Sequence, residues 1–237
     1  MPTLFARHAL LVCLGMSIAP AARCDEFYYL LVFGSQRPRP CPRYSHTFAT
    51  FVRATGRGPC AETYELECHT ISWLPEGGHV RPAALMPERG RNFDLGTTLQ
   101  WATGTGQQIA LWGPYQIDAE LYGQGLRQAA LLESGTVCYK AIDSGYLSDH
   151  VTNCIHAVSA VADGHGRLLL IPGFGEVASY WISLRFRPWL IEPRRSHDWV
   201  ASRLGLDGWP IVRRDWGWLG DGLLHGAIRS VFRWDEP

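Results

Sequence analysis

Three prolines at alternate positions, Pro38, Pro40 and Pro42, bar residues 35–43 from a central strand or a helix, because proline offers no backbone N–H and its ring fixes φ. The loop they impose divides two runs of strand character. Residues 27–34 (FYYLLVFG) form a short aromatic and aliphatic run closed by glycine, as a buried strand does. Residues 44–53 (YSHTFATFVR) alternate polar and apolar side chains, so His46, Phe48 and Thr50 share one face. After a turn at Gly56, Gly58 and Pro59, residues 63–74 (TYELECHTISWL) predict a further strand with His69, Ile71 and Trp73 on one side. The last two strands are expected to pair antiparallel.

The remainder of the chain supplies helices. Residues 75–91 contain three Pro and three Gly without periodicity and read as a long loop, a candidate lid. Residues 100–115 are ambiguous. Over 118–133, Leu121, Tyr122, Leu126, Ala129, Ala130 and Leu132 recur near helical spacing, Gly135 supplies a stop, and Gly123 and Gly125 cut across the pattern. Residues 136–142 (TVCYKAI) predict a strand, 145–151 a loop, and 153–162 (NCIHAVSAVA) a helix halted by Gly164 and Gly166. A strand over 167–172, helices over 176–186 and 196–204, and an irregular Trp-rich cap from Trp209 complete the reading. The chain has no internal repeat, so one α+β domain is expected, an antiparallel sheet packed against helices. Ten Trp, nine Tyr and nine Phe give enough buriable surface to exclude a disordered chain. With 22 basic and 22 acidic residues it lacks the basic footprint of nucleic-acid binding, and no nucleic-acid partner is expected.

The first 21 residues follow a different pattern. Arg7 and His8 precede an apolar run ending near Ile18, and small residues then give an Ala-x-Ala site at Ala19-Pro20-Ala21. This is the three-part form of a secretory signal peptide. It predicts a mature domain over 22–237 that is secreted or periplasmic. No later stretch reaches the ~20 apolar residues of a membrane helix, so no integral membrane segment is expected in the mature chain. Export leaves Cys24, Cys41, Cys60, Cys68, Cys138 and Cys154 in an oxidising compartment, where disulfide bonds are expected.

Cys154 is the residue with the most chemistry to offer. Thr152 or Asn153 can cap its helix, which places the thiol in the first turn, where unpaired N–H groups and the helix dipole favour negative charge on sulfur. A thiol nucleophile needs a base and a group to orient that base, and His46 and His69, each within a strand, supply both roles. His156 lies two residues on, away from Cys154 around the helix, and reads as a structural hydrogen-bonder. Tyr115, after Gly113-Pro114, is a candidate cleft residue.

These segments together, SHTFATF, ECHTISW, a strand ending in YKAI and a helix opening NCIHA, resemble the circularly permuted papain-like thiol enzymes, nearest the lecithin:retinol acyltransferase-like group. The resemblance spans residues 44–162 and leaves the Trp-rich C-terminal extension outside it. It implies a permuted papain-like core with the His-bearing strands before the Cys-bearing helix, Cys154 as nucleophile, His46 as base and His69 as the orienting group. The implied activity is that of a thiol hydrolase, peptidase or acyltransferase acting on an amide or ester through a thioester. Small peptides, amides or lipid esters are the expected substrates, with cell-wall peptides among them.

Two other classes compete. Cys68, His69, His46 and Cys154 are adequate zinc ligands, yet neighbouring strand residues point to opposite faces and no Cys-x-x-Cys or His-Glu-x-x-His pair occurs. No metal and no cofactor are therefore expected. The third class is a non-catalytic, disulfide-stabilised binding or structural domain, with Cys154 bridged to Cys138 and Cys41 to Cys60.

Overall fold

The computed structural model describes residues 25–39, 41–58, 60, 63–143, 150–163 and 174–216. Strands β1 (Asp25–Gln36) and β2 (Ser45–Gly56) form a long antiparallel pair on either side of the proline segment, and a single 3-10 turn at Pro42–Tyr44 leads into β2. β3 (Glu65–Ile71) pairs antiparallel with β2, whereas β4 (Trp73–Pro75) pairs with β5 (Glu88–Asn92) in a second sheet. Helix α1 (Leu95–Gly104), β6 (Gln108–Ile117) and α2 (Ala119–Glu133) follow. Next come two short strands, β7 (Cys138–Tyr139) and β8 (Val151–Thr152), then α3 (Cys154–Asp163), α4 (Gly175–Phe186), α5 (Asp198–Arg203) and β9 (Ile211–Arg214). The first sheet has the order β3-β2-β1-β6-β9 and the second β4-β5-β7-β8. Only β6–β9 and β7–β8 are parallel. The chain is thus a mixed α+β protein of mainly antiparallel sheets packed against helices.

The central strand explains its own sequence. Leu30 and Val32 of β1 pack into a cluster with residues of α2, α3 and α4, while Tyr29, Leu31 and Phe33 pack on the other face with residues of α1 and α5. A strand covered on both sides has no polar face, which is why FYYLLVF does not alternate. Close backbone approaches set the helices on this sheet. A Cβ at Gly125 would lie 2.8 Å from the Phe51 ring, so the glycine that weakens the pattern of α2 lets that helix sit on β2. Both α1 and α2 are capped by aspartates, Asp94 accepting the Thr97 N–H and Asp118 the Leu121 N–H, each at 2.8 Å.

Several expectations are corrected. The single strand expected over 63–74 is two strands in different sheets, parted at Ser72. The side chain of Asn92 takes the Ser72 N–H at 2.8 Å and the Phe93 N–H reaches the Ser72 carbonyl at 3.0 Å, which holds the bend. The ambiguous stretch contains the end of α1 and most of β6. The Trp-rich cap is partly regular, because β9 adds a parallel strand to β6 and Trp216 stacks on Tyr115 at 5.4 Å. The strand expected over 136–142 shortens to Cys138–Tyr139. The signal segment, Cys24, most of the 145–151 loop, the strand expected over 167–172 and the chain after Trp216 lie outside the described residues. Among the described residues no helix is long and apolar enough to cross a membrane.

The disulfide expectation also changes, since Cys41, Cys60, Cys68, Cys138 and Cys154 are all free thiols. Cys41 and Cys60 lie beyond opposite ends of the 12-residue strand β2, which at about 3.4 Å per residue spans some 40 Å, far over the reach of a disulfide. Cys138 sits in the β7–β8 ladder opposite Val151, whereas the Cys154 sulfur is directed to β2.

A tight seam lies where α4 meets the end of β1 and the start of β2. A Cβ on Gly175 would collide with the Ser35 carbonyl oxygen and lie 2.7 Å from that of His46. Gly175→Ala is therefore expected to destabilise the fold by roughly 1–3 kcal/mol, as overpacking against backbone does. Urea denaturation followed by circular dichroism should show the fall, and an unchanged midpoint would disprove the seam.

Candidate active site

Pairing between β2 and β3 ends at Ala49–Ile71, because the chain turns into the second sheet at Ser72. Beyond that point β2 is paired with β1 alone, which leaves one edge of Ser45–Thr47 without a strand. The first turn of α3 occupies this edge. Asn153 caps the helix, its side-chain oxygen accepting the His156 N–H at 2.8 Å, so Cys154 is the first helical residue. The buried Asp143 fixes the cap from outside the helix. Its carboxylate accepts the Asn153 N–H and side-chain NH₂, both at 3.0 Å, and lies 2.6 Å from His156 Nδ1. His156 is thus the structural hydrogen-bonder its position implied. Sequence reading did not single out Asp143, which lies ten residues before its partner with no local signal to mark it.

The backbone N–H groups of Thr47, on the open edge of β2, and of Ile155 favour the thiolate of Cys154 electrostatically. Cys154 shares a cavity of about 30 Å³, room for one water, with His46, Thr47, Val80, Tyr139 and Asn153. Val80 comes from the expected lid, and the buried Lys140 ammonium ties that segment down by donating to the Ala84 carbonyl. Cys154 keeps 8% of its surface exposed against 1% for His46.

His46 is held on three sides. Its ring stacks on Phe48 at 5.4 Å, meets the edge of Trp101 at 5.6 Å, and places Nε2 2.9 Å from Ser72 Oγ. Ser72 Oγ lies 2.8 Å from Thr98 Oγ1, which is itself 2.7 Å from the Asp94 carbonyl oxygen. The Thr98 hydroxyl donates to Ser72 Oγ and also lies against the Asp94 carbonyl, so Ser72 is held from behind while it contacts His46 Nε2. His46 Nδ1 is buried and without a hydrogen-bond partner among the described residues. His46 and Cys154 therefore line one cavity without sharing a hydrogen bond, as free enzymes often hold groups that close up only around substrate.

His69 does not join them, which corrects its expected role. The register pairs Phe51 with His69 and Thr50 with Thr70, so odd positions of β3 share the Phe51 face and even positions the face of Thr50 and His46. His69 instead contacts Glu67 at 3.0 Å and lines a separate groove against α2 with Asn92 and Glu133. On this parity the residue that continues β3 toward His46 is Ser72. Tyr115 is packed in the core and lines no part of the cavity.

Burial dominates the electrostatics. It pushes the Cys154 thiol up to about 11, opposed by the Thr47 and Ile155 N–H groups and reinforced by the negative charge of Asp143. It pushes His46 down to about 3. At neutral pH the resting pair is a thiol and a neutral imidazole. Among the described residues no group of three or more His, Cys, Asp or Glu is placed to hold a metal ion. No family model, curated protein or solved structure matches the chain.

His46 gains a proton below pH 6.5 in the unfolded chain but only near pH 3 in the fold, so unfolding takes up a proton between those values and stability falls as pH is lowered. The contribution approaches about 1.4 kcal/mol per pH unit. Urea denaturation of wild type and His46→Gln at pH 7, 5.5 and 4.5 is expected to show the variant gaining relative to wild type toward acid. Parallel pH dependences would mean that His46 is not buried as a neutral base.

Proposed function

We propose that this protein is an exported cysteine hydrolase or acyltransferase with a circularly permuted papain-like core, in which Cys154 is the nucleophile, His46 the base and Ser72 the group that orients it. The observation that supports this most is a small cavity lined by both Cys154 and His46, with His46 Nδ1 buried and unpartnered among the described residues. The order of the parts, base-bearing strand before nucleophile-bearing helix, agrees with that family resemblance.

As the sulfur attacks an acyl carbon, the S–H proton passes to His46 Nδ1 and the carbonyl π electrons move to oxygen. The α3 N-terminus, with the Cys154 N–H, is the available donor for that oxyanion. Collapse expels the amine or alcohol, which takes the proton back from Nδ1–H and leaves a thioester. Water or an acceptor alcohol or amine, deprotonated by the same nitrogen, then releases the acyl group. Because both groups start neutral, His46 acts as a general base during attack, and no thiolate–imidazolium pair is stored beforehand. Small peptide or ester substrates, including cell-wall peptides, fit an exported enzyme of this kind.

The small cavity and the raised thiol favour one alternative, a non-catalytic domain in which Cys154 is an inert buried thiol. Reaction with an electrophilic probe, a peptidyl fluoromethyl ketone, decides between them. Cys154→Ala is expected to abolish labelling, His46→Ala to slow it by about 10²-fold or more, and Ser72→Ala to slow it by about tenfold with a shifted pH profile. His69→Ala should label at the wild-type rate. Labelling that survives Cys154→Ala, or no labelling of wild type, would overturn the assignment.

A further inference from the structure

A larger cleft of about 530 Å³ adjoins the Cys154 cavity, and its walls include Arg43, Tyr44, His79, Val80, Arg81 and Trp101. Val80 lines both spaces, and the turn Pro42–Tyr44 stands between them, Pro42 on the cavity side and Arg43 and Tyr44 on the cleft side. Trp101 forms the other link. Its indole N–H donates to the Gly78 carbonyl at 3.0 Å while its ring meets His46, so a ligand lying on Trp101 is one ring away from the base.

The cleft is cationic and aromatic. Arg37 stacks over Tyr44 at 3.4 Å from the ring centre and donates to the Thr105 carbonyl at 2.8 Å, which fixes that wall. Arg81 is paired with Glu88. Among the described residues, neither Arg37 nor Arg43 has a carboxylate partner, and none of those lining the cleft is a carboxylate. Residues 27–61 contain Arg37, Arg39, Arg43, Arg53 and Arg57 and no Asp or Glu, in a chain whose 22 basic and 22 acidic residues balance overall, and Arg53 is taken up by Glu26 and Glu67.

We propose that this cleft is the subsite for a carboxylate-bearing part of the acyl substrate, an acidic peptide, with Arg43 as its charge partner and the Tyr44 and Trp101 rings against its apolar stem. A guanidinium matches a carboxylate in a planar, two-bonded fork, and a cleft with no competing acid leaves Arg43 available for it. The proposal rests on the thiol acyl-transfer reading of Cys154.

The test uses benzyloxycarbonyl-Ala-Glu and benzyloxycarbonyl-Ala-Gln fluoromethyl ketones, which differ in one carboxylate against one carboxamide. Cys154 sulfur displaces fluoride to form a thioether, the proton passing to His46, and intact-mass measurements give the rate for each probe. The Glu probe is expected to react about tenfold faster at low salt, with the preference shrinking as salt rises and lost in Arg43→Gln. Arg43 is exposed, so this variant should keep the wild-type unfolding midpoint, and Arg43→Lys should keep part of the preference. Equal rates for the two probes on wild type overturn the anion subsite and leave the thiol chemistry standing. If neither probe labels Cys154, the thiol reading falls. Binding of free benzyloxycarbonyl-Ala-Glu and -Ala-Gln to Cys154→Ala, followed by Trp fluorescence, then judges the cleft alone: tighter binding of the Glu peptide upholds it, and equal binding removes it.

Discussion

The bend at Ser72 is the constraint from which the arrangement around Cys154 follows. By sending β3 out of the first sheet and into the second as β4, it strips a neighbour from the first residues of β2. An unpaired strand edge inside a protein leaves N–H groups without partners, which is costly unless something else supplies acceptors. The first turn of α3 fills that edge and sets the Cys154 sulfur near the Thr47 N–H, which favours its thiolate. The same bend delivers the Ser72 hydroxyl to His46. One change of direction thus creates the vacancy the cysteine helix fills and the polar contact that holds the imidazole opposite it.

Energetically this is a dry, neutral arrangement. A thiol held up near 11 and an imidazole held down near 3 carry no charge at neutral pH, so the buried pair avoids the desolvation cost of two ions. The proposed chemistry creates charge only when an acyl group is present to accept it. The supporting shell is correspondingly polar. Thr98 and Asp94 lie behind Ser72, and Asp143 and Asn153 lie behind Cys154, so both groups of the pair are oriented from the side away from the cavity.

Much of this was legible in the chain. The proline segment, the strands flanking it, the helix after Asp118 and the helix opening at Cys154 all follow from local chemistry, since capping, turn formation and a strong apolar run depend on near neighbours. Cys154 and His46 do come to one cavity, as their positions suggested. What could not be read was the parity of His69 against Ser72. In a sheet covered on both faces, alternation no longer tells one face from the other, and only the long-range register between β2 and β3 assigns them. The Asp143 clamp was hidden for a related reason, because a carboxylate that bonds ten residues away leaves no periodic trace. The disulfide expectation failed on length, a property of β2 that pairing arguments between Cys41 and Cys60 ignored.

The 3-10 turn ahead of β2 separates two jobs within three residues. Pro42 faces the sulfur's cavity, and Arg43 and Tyr44 face the neighbouring cleft, while Cys154, the proposed nucleophile, is anchored on a different element altogether. Under the proposed chemistry, substitutions at the solvent-facing positions of this turn would alter which molecules are admitted without moving the sulfur or the imidazole. A lineage that kept the cysteine helix and the bend intact would then be free to diversify its diet through a handful of codons.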